Sequence, residues 1–185
     1  PCDFSFQEIV ALKEVEQFTM TSPERLVTLH RTVSYLEANQ IEGDIVECGV
    51  WRGGSSMLIA NALREFNNQK RNLFLFDTYE GMTPPSSLDL SYDNQEAKKL
   101  LDTTGKEDNE GNNIWCVASL ADVSLNLKRT QYDSSKIHFV KGKVEETIPH
   151  KAVEKIALLR LDTDWYESTK HELEFAGLCL SPPTR

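Results

Sequence analysis

Four short, nearly uninterrupted apolar runs, separated by stretches of helical periodicity, constrain the fold of this chain more than any other feature. They are Asp44-Ile-Val-Glu-Cys48, Asn72-Leu-Phe-Leu-Phe-Asp77, Lys136-Ile-His-Phe-Val-Lys141 and Lys155-Ile-Ala-Leu-Leu-Arg-Leu-Asp162. Strands apolar on both faces belong to a parallel sheet covered by helices on each side. The predicted order is strand 44–48, helix 55–66, strand 71–77, a long connection, helix 117–131, strand 136–141, strand 155–162 and helix 166–175. The expected fold class is therefore α/β, a doubly wound and mostly parallel sheet. Right-handed crossovers give it the strand order 3-2-1-4.

Two further helices are predicted at 7–18 and 23–39, the second with Ser22 placed to cap it and Pro23 at its first position. They divide the chain into an N-terminal helical segment, 1–43, and an α/β domain, 44–185. The connection from Tyr79 to Asn113 splits in two. Its turn-rich beginning, Gly81-Met-Thr-Pro-Pro-Ser-Ser87, starts at a strand end and is expected to act as a lid, whereas Asp102–Asn113 is polar and expected to be mobile.

No apolar run approaches the roughly 20 residues that cross a bilayer, and the first residues do not read as a signal peptide. Cys2, Cys48, Cys116 and Cys179 are scattered without metal-ligand spacing, which points to reduced thiols and a cytoplasmic protein. With a formal charge of −9 and dispersed basic residues, the chain has no electrostatic source of affinity for nucleic acid.

Three of the apolar runs end in or beside acids, and in an open parallel sheet the ligand sits outside the carboxyl ends of the strands. After the first run, Gly49-Val-Trp-Arg-Gly-Gly54 turns into a helix. Such a turn admits close backbone approach and leaves free N–H groups for a carboxylate or phosphate, or is simply a tight turn. Glu47 lies beside it. Asp77 is placed to accept bonds from ribose hydroxyls, or else to cap its own following turn. Together they suit a nucleoside-bearing ligand with a zwitterionic amino-acid end. Asp162 and Asp164 would share a strand face if the extended geometry persists, and could then serve one metal ion or one substrate hydroxyl; the alternative makes Asp164 a helix N-cap. The four histidines have no neighbour at metal spacing and read as structural.

Glu47-Cys-Gly-Val-Trp-Arg-Gly-Gly54, Phe76-Asp-Thr-Tyr-Glu-Gly-Met82, Leu159-Arg-Leu-Asp-Thr-Asp-Trp-Tyr-Glu-Ser-Thr169 and Thr19-Met-Thr-Ser-Pro-Glu-Arg-Leu26 resemble, in order, the macrocin O-methyltransferase (TylF-like) family. The resemblance implies a Rossmann-like class I methyltransferase that transfers a methyl group from S-adenosylmethionine to a sugar hydroxyl of a natural product or glycan. It implies Glu47, Gly49, Gly53 and Ser55 around the methionine part of that cofactor, Asp77 at its ribose and Gly142–Glu146 near its adenine. It also implies Asp162 as a Mg2+ ligand and Asp164 as the general base. The expected partner is a small sugar-containing acceptor, and a homo-oligomer is expected. Members of the family continue through a further strand and an Asp-Asp pair, so the sheet is expected to be incomplete at the C-terminus. A non-catalytic nucleoside-binding module is the alternative.

Overall fold

The computed structural model describes residues 3–91, 93–103, 114–148 and 153–175. Its helices are α1 (Phe6–Val15), α2 (Pro23–Ala38), α3 (Gly54–Glu65), α4 (Ala97–Asp102), α5 (Leu120–Arg129), α6 (Val144–Thr147) and α7 (Tyr166–Phe175). Its strands are β1 (Asp44–Cys48), β2 (Leu73–Asp77), β3 (Ile137–Lys141) and β4 (Ile156–Leu161). The sheet runs β3-β2-β1-β4 with every pairing parallel, which is the expected order.

Alternation along the strands builds the two faces of the core. Ile45, Leu73 and Leu75 point into a cluster with Leu58, Ile59 and Leu63 of α3, and the N-terminal helices share it through Val15, Leu26 and Val33. Val46, Cys48 and Phe76 point the other way, against Val140, Val144 and Ile156. Because neighbouring strands are in register, with Glu47 beside Leu75 on one side and Arg160 on the other, their carboxyl ends come out at one rim.

Some predicted elements needed adjustment. The helix expected over 7–18 is α1 followed by a 3-10 turn at Glu16–Phe18. A reciprocal bond pattern starts it, in which the Glu8 N–H donates to the Ser5 hydroxyl and the Ser5 N–H donates to the Glu8 carboxylate. Ser22 occupies the N-cap of α2, but its hydroxyl makes no capping bond; Pro23 alone sets the helix start. The long connection contains α4, which its polar sequence did not suggest, and an antiparallel bridge between Leu90 and Glu96 precedes that helix. Residues 104–113 of the segment expected to be mobile lie outside the described residues. No helix among the described residues is long and apolar enough to cross a membrane.

Candidate active site

The turn after β1 is held by constraints that only glycine tolerates at two points. Gly49 has φ +82°, and a Cβ there would overlap the carbonyl oxygen of Asp162. This close approach lets the Gly49 N–H reach Phe76 O and the Asp162 N–H reach Cys48 O, so the ends of β1, β2 and β4 are tied together. Gly53 has φ +87° and is the N-cap of α3. Its missing side chain leaves room for Leu127, whose Cδ2 would sit 2.8 Å from an added Cβ. Gly53 does not line the cleft; it is there for turn geometry and packing.

Asp77 connects the ends of two strands. Its Oδ2 accepts from the N–H groups of Val50 at 2.7 Å and Trp51 at 3.1 Å, while Oδ1 accepts from the N–H of Tyr79 at 2.7 Å. The local cap through Tyr79 is therefore formed, and the same carboxylate also shapes the turn that leads into α3. Helix geometry leaves the first N–H groups of α3, at Gly54, Ser55 and Ser56, without intrahelical acceptors. Their positive end of the helix dipole suits a carboxylate.

Glu47 is buried, and its oxygens are engaged within the protein. Ser56 Oγ donates to Oε2, and Arg160 Nη1 donates to Oε1 at 2.8 Å. Burial pushes its carboxyl above the ordinary carboxylate range, and the Arg160 guanidinium opposes that shift. The Arg160 Nη2 also donates to Asp162 Oδ2 at 2.7 Å and to the Thr21 hydroxyl at 2.9 Å. Arg160 is the residue that the sequence reading passed over. Its signal was available, as the one charged residue inside the run Ile156-Ala-Leu-Leu-Arg-Leu161, where burial demands a partner.

Asp162 and Asp164 both reach the cleft, though not by strand alternation. The strand ends at Leu161, and Asp164 has φ +66°, a left-handed conformation that Asp tolerates better than most residues. A turn, not a pleat, brings the two carboxylates together. Crowding by the surrounding protein raises the Asp164 pKa, the Asp162 charge adds to this, and Arg160 and Arg25 oppose it. Asp164 does not cap α7: the Tyr166 N–H donates instead to Asp89 Oδ1, at 2.7 Å. The adjacent Trp165 lines the cleft and donates from Nε1 to Thr83 O at 2.9 Å.

These elements enclose a cavity of about 270 Å³ at the carboxyl ends of β1, β2 and β4, near the lower end of the range for small-molecule sites. The structure brings Glu47, Gly49, Ser55, Asp77, Asp162 and Asp164 to it, and Gly142–Glu145 form part of its wall. Residues 18–21 and Arg25, most of them in the Thr19–Leu26 segment, close one side, a placement decided by how the N-terminal helices pack. Among the described residues no group of three or more His, Cys, Asp or Glu side chains is arranged to hold a metal ion. At the expected magnesium position the described residues supply two carboxylates, Asp162 and Asp164, and the first is paired with Arg160.

The macrocin O-methyltransferase (TylF) family model matches residues 14–176. The 8-demethyl-8-(2,3-dimethoxy-alpha-L-rhamnosyl)-tetracenomycin-C 4'-O-methyltransferase of Streptomyces olivaceus is 33% identical over 164 residues, covering 89% of this chain and 59% of that protein. The mycinamicin III 3''-O-methyltransferase of Micromonospora griseorubida is 29% identical, covering 89% of this chain and 61% of that protein. Among solved structures, the O-methyltransferase NovP superposes with a TM-score of 0.71 at 28% identity, over 89% of this chain and 63% of that one. The calicheamicin methyltransferase CalS11, at 20% identity and a TM-score of 0.62 over 96% of this chain and 76% of that one, shares the fold. The chain spans 59% and 61% of the length of these two curated relatives.

Proposed function

This chain belongs to the macrocin O-methyltransferase family, and from that premise we propose that it is the cofactor-binding part of an S-adenosylmethionine-dependent enzyme that methylates a sugar hydroxyl of a natural product. The observation that carries the reading is one cleft in which the α3 N-terminus, the Asp77-shaped turn and Asp164 converge at the strand carboxyl ends. The acceptor class is drawn from relatives named for methylating a rhamnosyl-tetracenomycin and mycinamicin III. A cytoplasmic location suits such an enzyme.

The residues present fit the cofactor. The N-terminus of α3, which meets the cleft at Ser55, suits the carboxylate of the cofactor's amino-acid end. Asp77 offers remaining acceptor capacity to ribose hydroxyls, since an ionised carboxylate has about four lone-pair sites and three strong donors occupy part of them. The ammonium group falls to Asp162 more than to Glu47, because Asp162 is exposed to the cleft and Glu47 is enclosed by Ser56 and Arg160. When bound, S-adenosylmethionine supplies an electrophilic methyl group on its sulfonium sulfur. Asp164, raised in pKa yet open to the cleft, takes the proton of the acceptor hydroxyl as its oxygen becomes the nucleophile. The walls hold the two reactants in line, which is the larger part of such catalysis.

Calorimetric titration with S-adenosylhomocysteine, with NAD as control, tests the reading. Binding of the former alone is expected. Asp77→Ala should weaken it by about 1.5–3 kcal/mol, the scale of hydrogen bonds to a charged group. An unchanged affinity in that variant would remove Asp77 from the site.

A further inference from the structure

We propose that Asp89 is a positioning residue that keeps Asp164 available to the cleft by taking over the helix cap that Asp164 would otherwise form. The proposal rests on the reading of Asp164 as the base. An Asp side chain readily bonds the backbone N–H two residues on, and for Asp164 that is the N–H of Tyr166, the first residue of α7. The competition is therefore local. A carboxylate that satisfies its own helix N-terminus is turned away from a ligand and loses part of its acceptor capacity.

In the structure the bond is taken by a residue 77 positions earlier. Asp89 is 7% exposed, and its Oδ1 accepts from the Tyr166 N–H at 2.7 Å. Its Oδ2 accepts from the Ser86 N–H at 2.6 Å and the Ser86 hydroxyl at 2.9 Å, which fixes the carboxylate's orientation. Its own backbone is held too, the Ala97 N–H donating to Asp89 O at 2.9 Å. Among the described residues the Trp165 Nε1 bond to Thr83 O fastens the same connection a second time, next to Asp164. The connection after β2 thus does more than line the cleft at Gly81, Met82 and Thr83. It supplies the cap that α7 needs and so leaves the Asp164 carboxylate facing the cavity.

The enzyme of which this chain is the cofactor-binding part is tested by amide exchange at Tyr166 and by turnover. In Asp89→Ala, Asp164 captures the vacated N–H, so Tyr166 stays protected to within about twofold, whereas Asp89→Ala/Asp164→Ala loses protection by about fivefold or more, the scale of a lost cap. Turnover of Asp89→Ala falls by about tenfold to a hundredfold in kcat with KM for the cofactor little changed, as for a misplaced reacting group. Asp89→Asn, which keeps an acceptor oxygen, restores most of kcat. Ser86→Ala, which removes one bond to Asp89 without touching the cap, leaves kcat as it was. Asp89→Ser serves in place of the alanine variant if that one does not fold. Tyr166 deprotection in Asp89→Ala as large as in the double variant would overturn the competition. A full kcat in Asp89→Ala beside a lost one in Asp164→Asn would overturn the positioning role alone. Undiminished turnover in Asp164→Asn would overturn the base on which the role rests.

Discussion

Glu172 shows how much the setting of one residue can change its chemistry. It sits on α7 with no exposed surface, and burial pushes its carboxyl up to about 7, with the Glu145 charge adding to the shift. A carboxyl that holds its proton more tightly in the folded state costs stability once it ionises. The cost is absent below the ordinary value near 4.5, grows as pH rises towards 7 and is complete above it. Glu172→Gln stays neutral throughout. It should therefore be more stable than the parent by about 2–3 kcal/mol at pH 8 and close to it at pH 4.5. Urea unfolding at the two pH values decides this, and an equal difference at both would show that the carboxyl is not shifted. Asp164 is raised in the same direction, but it is exposed at the cleft, where Glu172 is enclosed.

At the scale of elements, Arg160 is what lets a charged β1 and a charged β4 lie side by side. Its guanidinium spans Glu47 of β1, Asp162 beyond β4 and Thr21 before α2, so it joins the sheet to the N-terminal segment that walls the cleft. Removing it leaves Glu47, 1% exposed, as an uncompensated buried charge, a loss on the scale of about 3–5 kcal/mol. Arg160→Ala should lose most of that stability, and Glu47→Gln in the same chain should recover a large part of it. Chemical denaturation of the single and double variants measures the coupling. Additive losses would mean that the pair does not act as a unit. Gly49 works at the same scale, since its lack of a side chain lets the carbonyl of Asp162 approach β1.

For the whole molecule, the order β3-β2-β1-β4 places β4 at an edge, paired with β1 on one side and with no further strand among the described residues on the other. Leu158, Leu159 and Leu161 are only half-buried there. Natural edges are usually short, charged or covered, and this one is six residues long with one charged residue, itself turned to Glu47. The 185-residue chain is expected to self-associate through it. Hydrodynamic size should rise with concentration across a dilution series, and amides of 156–161 should gain protection in step. A monomer at all concentrations with that strand already protected would show that the edge is covered within the chain.

Alternating apolar runs and helices, turn glycines and strand-end acids are local signals, each read within a dozen residues. They were enough to establish the sheet, its strand order and the family. Local pattern could not reveal which acceptors those acids already serve. Asp77 reads as a ribose acceptor or a cap of its own turn, and the fold gives it the Val50 and Trp51 amides besides that of Tyr79; Glu47 reads as a cofactor ligand, and the fold pairs it with Arg160. The cap of α7 could not be found from its own neighbourhood, because Asp89 comes to it across 77 residues of chain. Helix α4 was hidden for the same reason, its sequence being polar and its placement depending on the bridge between Leu90 and Glu96. Periodicity is a property of the backbone and survives in one dimension, whereas hydrogen-bond pairing and burial are settled only when distant segments compete for the same groups.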